Sequence, residues 1–137
     1  MKLFEEKKDI FTVDFNEYTI VHCISYDCKM GAGIAVPIKK YFNLHGINKY
    51  VTTYPTCVYY NSVLNLITKC KYWGKPTYET LNESLTIMKE IIIKEKITKI
   101  VMPKIGCGLD RLKWETVKES ITTIFYGINI EILVCKL

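Results

Sequence analysis

Apolar positions along the chain alternate between two rhythms. Tyr18 to Ser25 (YTIVHCIS) is apolar and β-branched, as a strand buried on both faces is. After Met30-Gly31-Ala32-Gly33, helical spacing sets in from Ile34 to Phe42. Cys57 to Lys69 alternates on either side of Asn61-Ser62, which predicts a hairpin of two strands. Pro76-Thr77 then opens a long helix. Thr77 suits the N-cap, Glu79 sits in the first turn, and Leu81, Leu85, Met88 and Ile92 recur at intervals of three and four as far as about Lys96. Lys99 to Pro103 reads as a short buried strand, Trp114 to Tyr126 as a second amphipathic helix, and Ile128 to Cys135 as a closing strand. Strands alternating with helices predict an α/β domain, with helices on both faces of a largely parallel or mixed sheet.

A length of 137 residues suits one core, so residues 1–137 read as a single domain. No repeat, low-complexity tract or linker interrupts it. Met1 to Ile10 carries charges throughout, unlike a signal peptide, and no apolar run approaches the ~18 residues of a membrane helix. The expectation is a soluble, intracellular protein, cytoplasmic or nuclear, without a membrane partner.

Six cysteines (Cys23, Cys28, Cys57, Cys70, Cys107 and Cys135) form no C-x-x-C pair, and only His22 and His45 could assist them. Reduced thiols and no metal are therefore expected. His22 and Cys23 are neighbours on a strand and point to opposite faces, which excludes a thiol–imidazole couple. The net charge of +5 comes almost wholly from lysine, Arg111 being the one arginine. The lysines are scattered and do not form a stripe. They read as a solvated basic surface, and a dedicated nucleic-acid-binding module is disfavoured.

Candidate chemistry lies in two glycine loops. Met30-Gly31-Ala32-Gly33 follows one strand, Ile105-Gly106-Cys107-Gly108-Leu109-Asp110 follows another, and each leads into a helix. In an α/β sheet the carboxyl edge of the strands is where ligands bind, and glycine lets backbone N–H groups approach phosphate. Neither loop fits G-x-G-x-x-G or the P-loop pattern. Either alone is as well explained by a tight turn; together they could grip a diphosphate from both sides.

Three longer stretches carry a resemblance. His22 to Ala35 (HCISYDCKMGAGIA), Leu66 to Lys69 with Lys75 to Leu81 (LITK, KPTYETL), and Met102 to Trp114 (MPKIGCGLDRLKW) closely resemble, in order, the motifs of the macrodomains. Within these the chain looks like the subfamily of the terminal ADP-ribose protein glycohydrolase, related to the ADP-ribose-1″-phosphate phosphatases. The resemblance implies a three-layer α/β/α macrodomain with a central mixed sheet. It also implies a cofactor-free, monomeric hydrolase that removes ADP-ribose from modified protein or nucleic acid.

By the same resemblance Asp9 and Ile10 recognise adenine, and Ser25 contacts the ligand. Met30, Gly31, Ala32, Gly33, Ile34 and Ala35 wrap the diphosphate and distal ribose from one side, and Ile105, Gly106, Cys107, Gly108 and Leu109 from the other. Lys69 and Asp110 match the catalytic lysine and aspartate. A neutral lysine is a good nucleophile towards the masked aldehyde of the distal ribose, and a carboxylate can move protons and activate water. Attack by water that Asp110 activates, with Lys69 only positioning the substrate, is the other route. Deacylation of O-acetyl-ADP-ribose is an expected side activity. Two rival readings are an ADP-ribose-1″-phosphate phosphatase and a non-catalytic ADP-ribose reader; the reader would lack Lys69 or Asp110, and both are present. Tyr78 and Trp114 lie within matching motifs but serve equally as core anchors. The chain departs from the family around Trp73, a candidate to stack on substrate or act as a lid, at Lys8, and in a shorter segment from Asn43 to Tyr59.

Overall fold

The computed structural model describes residues 1–136; Leu137, the last position of the expected domain, lies outside the described residues. The strands are β1 (Lys2–Lys7), β2 (Thr19–Ser25), β3 (Thr56–Tyr60), β4 (Val63–Lys69), β5 (Lys99–Met102) and β6 (Glu131–Lys136). The helices are α1 (Ala35–Phe42), α2 (Tyr78–Glu95) and α3 (Trp114–Ile124). The six strands form one mixed sheet in the order β1-β6-β5-β2-β4-β3. All neighbours are parallel except β3 and β4, the expected hairpin. Asn61 and Ser62 at its tip both have positive φ, the backbone of a type I′ turn.

Successive strand residues point to opposite faces, so the sheet builds two cores. On one face Val21, Leu64, Leu66, Ile100 and Ile132 meet Leu85 and Met88 of α2 and Val117 and Ile121 of α3. On the other, Ile20, Ile24, Ile67, Val101 and Leu133 meet Ile38 of α1 and the irregular segments around Ile10, Leu44 and Ile47. The result is the three-layer α/β/α arrangement. Among the described residues no helix is long and apolar enough to cross a membrane.

Two elements differ from the pattern-based expectation. β1 has no counterpart in it, because KLFEEK carries charge on both faces. The strand is held at the sheet edge by parallel pairing with β6 and by Glu5, whose carboxylate accepts from the Trp114 indole (2.9 Å) and from Lys118 Nζ (2.7 Å). The last strand starts at Glu131 instead of Ile128, because residues 125–130 turn the chain back after α3, with Gly127 at a φ of +79°.

Candidate active site

Five parallel strands end on the same edge of the sheet, and a cavity of about 1020 Å³ runs along that edge. Four strand spacings separate β1 from β4, so the groove is roughly 19 Å long at ~4.8 Å per strand. All the residues expected at a ligand site line it. Asp9 and Ile10 lie at the β1 end, and the loop of residues 105–110 follows β5. Ser25 and residues 30–35 follow β2, and Lys69 closes the far end on β4.

The Lys69 ammonium and Asp110 carboxylate meet at that far end, Nζ to Oδ1 2.6 Å, with side chains only 14% and 13% exposed. The backbone helps to place them. Ser25 pairs with Lys69 while Ile24 pairs with Ile67, so Thr68 is an extra residue in β4. Such a bulge re-aims the side chains beside it, and this one falls one residue before Lys69. Cys23 also faces the cavity, but burial, and then the neighbouring Asp110 charge, push its thiol well above the ordinary range. It stays protonated and is not a nucleophile.

The middle of the groove is built to meet an anion. Helix α1 begins at Ala35 with no side-chain cap. The Val36 N–H turns back onto the Gly33 carbonyl (3.3 Å) and Pro37 has none, so the amides of Ile34 and Ala35 are the ones without a partner among the described residues. By contrast, α2 is fully capped, Thr77 and Thr80 exchanging side-chain-to-backbone hydrogen bonds at 3.1 and 3.0 Å. Gly106, at a φ of +73°, brings the second loop in close; a Cβ there would stand 3.0 Å from Leu112 Cδ1.

At the β1 end, Asp9 Oδ1 accepts from the Phe11 amide (3.0 Å) and caps the short turn Ile10–Thr12. The second carboxylate oxygen makes no hydrogen bond among the described residues. Ser25 lies in the wall, and its hydroxyl donates to Asp27, which leaves the oxygen able to accept from a ligand but not to donate to one. Several wall residues had no signal in the sequence. Phe11, Cys135 and Lys136 follow from the position of β1 and β6 in the sheet order, and Lys104 from its place beside the second loop. Tyr72, Trp73 and Lys75 form a lip next to Lys69. Trp114 is buried and bonded to Glu5, and the Tyr78 hydroxyl accepts from the Lys113 amide (3.0 Å); both act as anchors of the core beneath the second loop. Among the described residues no three His, Cys, Asp or Glu side chains gather as metal ligands would.

The fold and its groove define a macrodomain. The macrodomain of Mycobacterium tuberculosis DarG superposes with a TM-score of 0.86 over 98% of this chain and 97% of that one, at 16% identity. Thermosipho africanus DarTG in complex with ADP-ribose gives 0.76 over 98% of this chain and 41% of that one, at 17% identity. No family model matches the chain. In sequence, the ADP-ribose glycohydrolase OARD1 of Bos taurus is 41% identical across 96% of this chain and 89% of its own length. The chain therefore belongs to the macrodomain family, in the branch of the OARD1 ADP-ribose glycohydrolases.

Proposed function

We propose that the protein is a hydrolase that removes mono-ADP-ribose from macromolecules, with Lys69 and Asp110 as its catalytic residues. The observation that carries this is the partly buried Lys69–Asp110 contact at one end of a groove about as long as ADP-ribose. Adenine lies at the Asp9–Ile10 end, where the free oxygen of Asp9 can accept from the exocyclic amine. The diphosphate sits between the two glycine loops, over the start of α1. That orientation brings the distal ribose to Lys69 and Asp110.

The substrate bond joins C1″ of the distal ribose to the acceptor. Asp110 takes a proton from Lys69, and the freed amine attacks C1″. The C1″–O bond breaks, and an ester-linked acceptor departs as its carboxylic acid, taking the proton that Asp110 had accepted and leaving Asp110 a carboxylate again. The lysyl adduct opens to a Schiff base. Water, deprotonated by Asp110, adds to it, releasing ADP-ribose and the free amine. The acceptor is a protein carboxylate or a nucleic-acid group, and the same chemistry extends to O-acetyl-ADP-ribose. We read the enzyme as acting alone, as a monomer.

The test is release of free ADP-ribose from a carboxylate-linked mono-ADP-ribosylated protein, with borohydride added during turnover. Release, together with a reductively trapped adduct absent from Lys69→Ala, is the expected result. Release without trapping would move the nucleophile from Lys69 to water; tight ADP-ribose binding without release would make the protein a reader.

A further inference from the structure

The lip formed by residues 70–75 is not used by the chemistry above, yet it is built into the reactive end of the groove. Trp73 is 71% exposed and Tyr72 58%, and both line the cavity. Large aromatic side chains left this open towards a cavity present stacking faces that folding has not used.

The lip is also fastened. Asp27 Oδ2 accepts from the Tyr72 amide (2.9 Å), while Asp27 Oδ1 accepts from the Ser25 hydroxyl and, at 3.4 Å, from the Lys29 amide. Lys75 Nζ donates to the Leu109 carbonyl (2.6 Å), one residue before Asp110, and the Gly74 amide closes a turn onto the Lys71 carbonyl (2.9 Å). Trp73 is thus held between two anchors, four residues after Lys69. With the nucleotide running from β1 to β4, this place is beyond the bond to be cut, on the side of the acceptor.

Charge narrows the acceptor's chemistry. Lys71 lies on the lip itself, close enough to Asp27 for its charge to act on that carboxyl, and Lys104 lines the same cavity beside the second loop. Neither forms an ion pair within 4 Å among the described residues. The nearby carboxylates are engaged, Asp27 by its hydrogen bonds and Asp110 by Lys69. A surface of exposed aromatic faces beside unpaired cations matches a strand that offers flat bases and phosphates together. An acidic peptide would satisfy the lysines but offers the indole a flat face only where it carries an aromatic or guanidinium side chain, whereas every nucleotide carries a base.

Resting on the hydrolase reading, we propose that Trp73 is the acceptor-specificity residue, a stacking platform for a base of a single-stranded nucleotide acceptor, with Asp27 as the residue that positions it.

The test compares ADP-ribose release from a base-linked ADP-ribosylated single-stranded oligonucleotide and from a carboxylate-linked peptide. Trp73→Ala is expected to raise KM for the oligonucleotide roughly ten-fold, with Trp73→Phe restoring most of it. KM for the peptide, and Kd for free ADP-ribose, should stay within about two-fold. An equal loss on both substrates, a weaker Kd for ADP-ribose, or no change would each overturn the proposal. A second measurement separates it from the hydrolase reading: unmodified oligonucleotide added to the ADP-ribose-saturated protein should quench tryptophan fluorescence, and should fail to do so in Trp73→Ala. Quenching without hydrolysis of either substrate would overturn the hydrolase and keep the platform; hydrolysis without quenching would do the reverse.

Discussion

Lys69 and Asp110 are 41 residues apart in the chain, and their side chains meet at 2.6 Å on the floor of the groove. One comes from the bulged end of β4 and the other from the loop after β5, and β2 lies between them in the sheet. The contact therefore reports the register of three strands at once.

For a nucleophile and its proton acceptor acting as a unit, Lys69→Ala and Asp110→Ala should each lower kcat by about 10²–10⁴. The double variant should be little slower than either single one, because each removes the same step. Steady-state release assays on the three variants check this, and multiplicative losses would show that the two residues act separately.

Trp114 carries another long-range contact of the site region, its indole N–H bonded to Glu5 on β1. Trp114→Phe keeps an aromatic ring but removes that donor and some volume. A loss of about 2 kcal/mol, seen as a Tm several degrees lower, is expected. ADP-ribose affinity measured by calorimetry should stay within about two-fold, since the ring belongs to the core. A large drop in affinity with an unchanged Tm would place it on the ligand instead.

His22 is fully buried, with Nε2 2.6 Å from Asn65 Oδ1, and burial pushes its pKa down to about 4. Between roughly pH 4 and the unfolded value of ~6.5, the unfolded chain holds a proton on this ring that the folded chain does not. Stability should fall as pH drops through that window and be indifferent to this group above it, by about 2 kcal/mol at pH 5. Asp27, held below its usual range by the Ser25, Tyr72 and Lys29 contacts that outweigh its burial, adds a separate loss that begins only below about pH 4. Urea midpoints at pH 7 and pH 5 measure the first effect, and His22→Gln should flatten it even if the variant is less stable throughout.

Gly106 is required by its backbone. At a φ of +73°, with Leu112 Cδ1 3.0 Å from where a Cβ would sit, Gly106→Ala should cost about 1–2 kcal/mol. Gly108 has nothing within 4 Å of the same position and lacks the positive φ, so Gly108→Ala should leave Tm almost unchanged. Thermal unfolding of the pair separates a glycine that shapes the loop from one that merely lies in it.

Much of this architecture was legible in the sequence, for physical reasons. β2 and β5 are buried on both faces and read as apolar strands, α2 announces itself through its Thr77 cap, and the β3–β4 hairpin through alternation on either side of Asn61-Ser62. The loop residues that line the groove were readable because the strand ends that carry them were. β1 was not, since an edge strand whose inward face carries only Leu3 beside Glu5 has no apolar rhythm to detect. The lip around Trp73 was legible only as a departure from the family pattern. Its anchoring by Asp27 and Lys75 depends on tertiary contacts across 45 and 34 residues, which no local pattern encodes.

The bare start of α1 links occupancy to order. A helix of 8 residues with no side-chain cap is short of hydrogen-bond acceptors at the end that faces the groove. A bound diphosphate would provide them, so the ligand completes a secondary structure as well as filling a space. Saturation at a hundred times Kd would add about 2.7 kcal/mol to the folded state, and the amides of Ile34 and Ala35 would exchange with solvent more slowly while it lasts. Departure of product would then coincide with fraying of this turn, and the frayed turn, in place of an open mouth, is what the next substrate would meet.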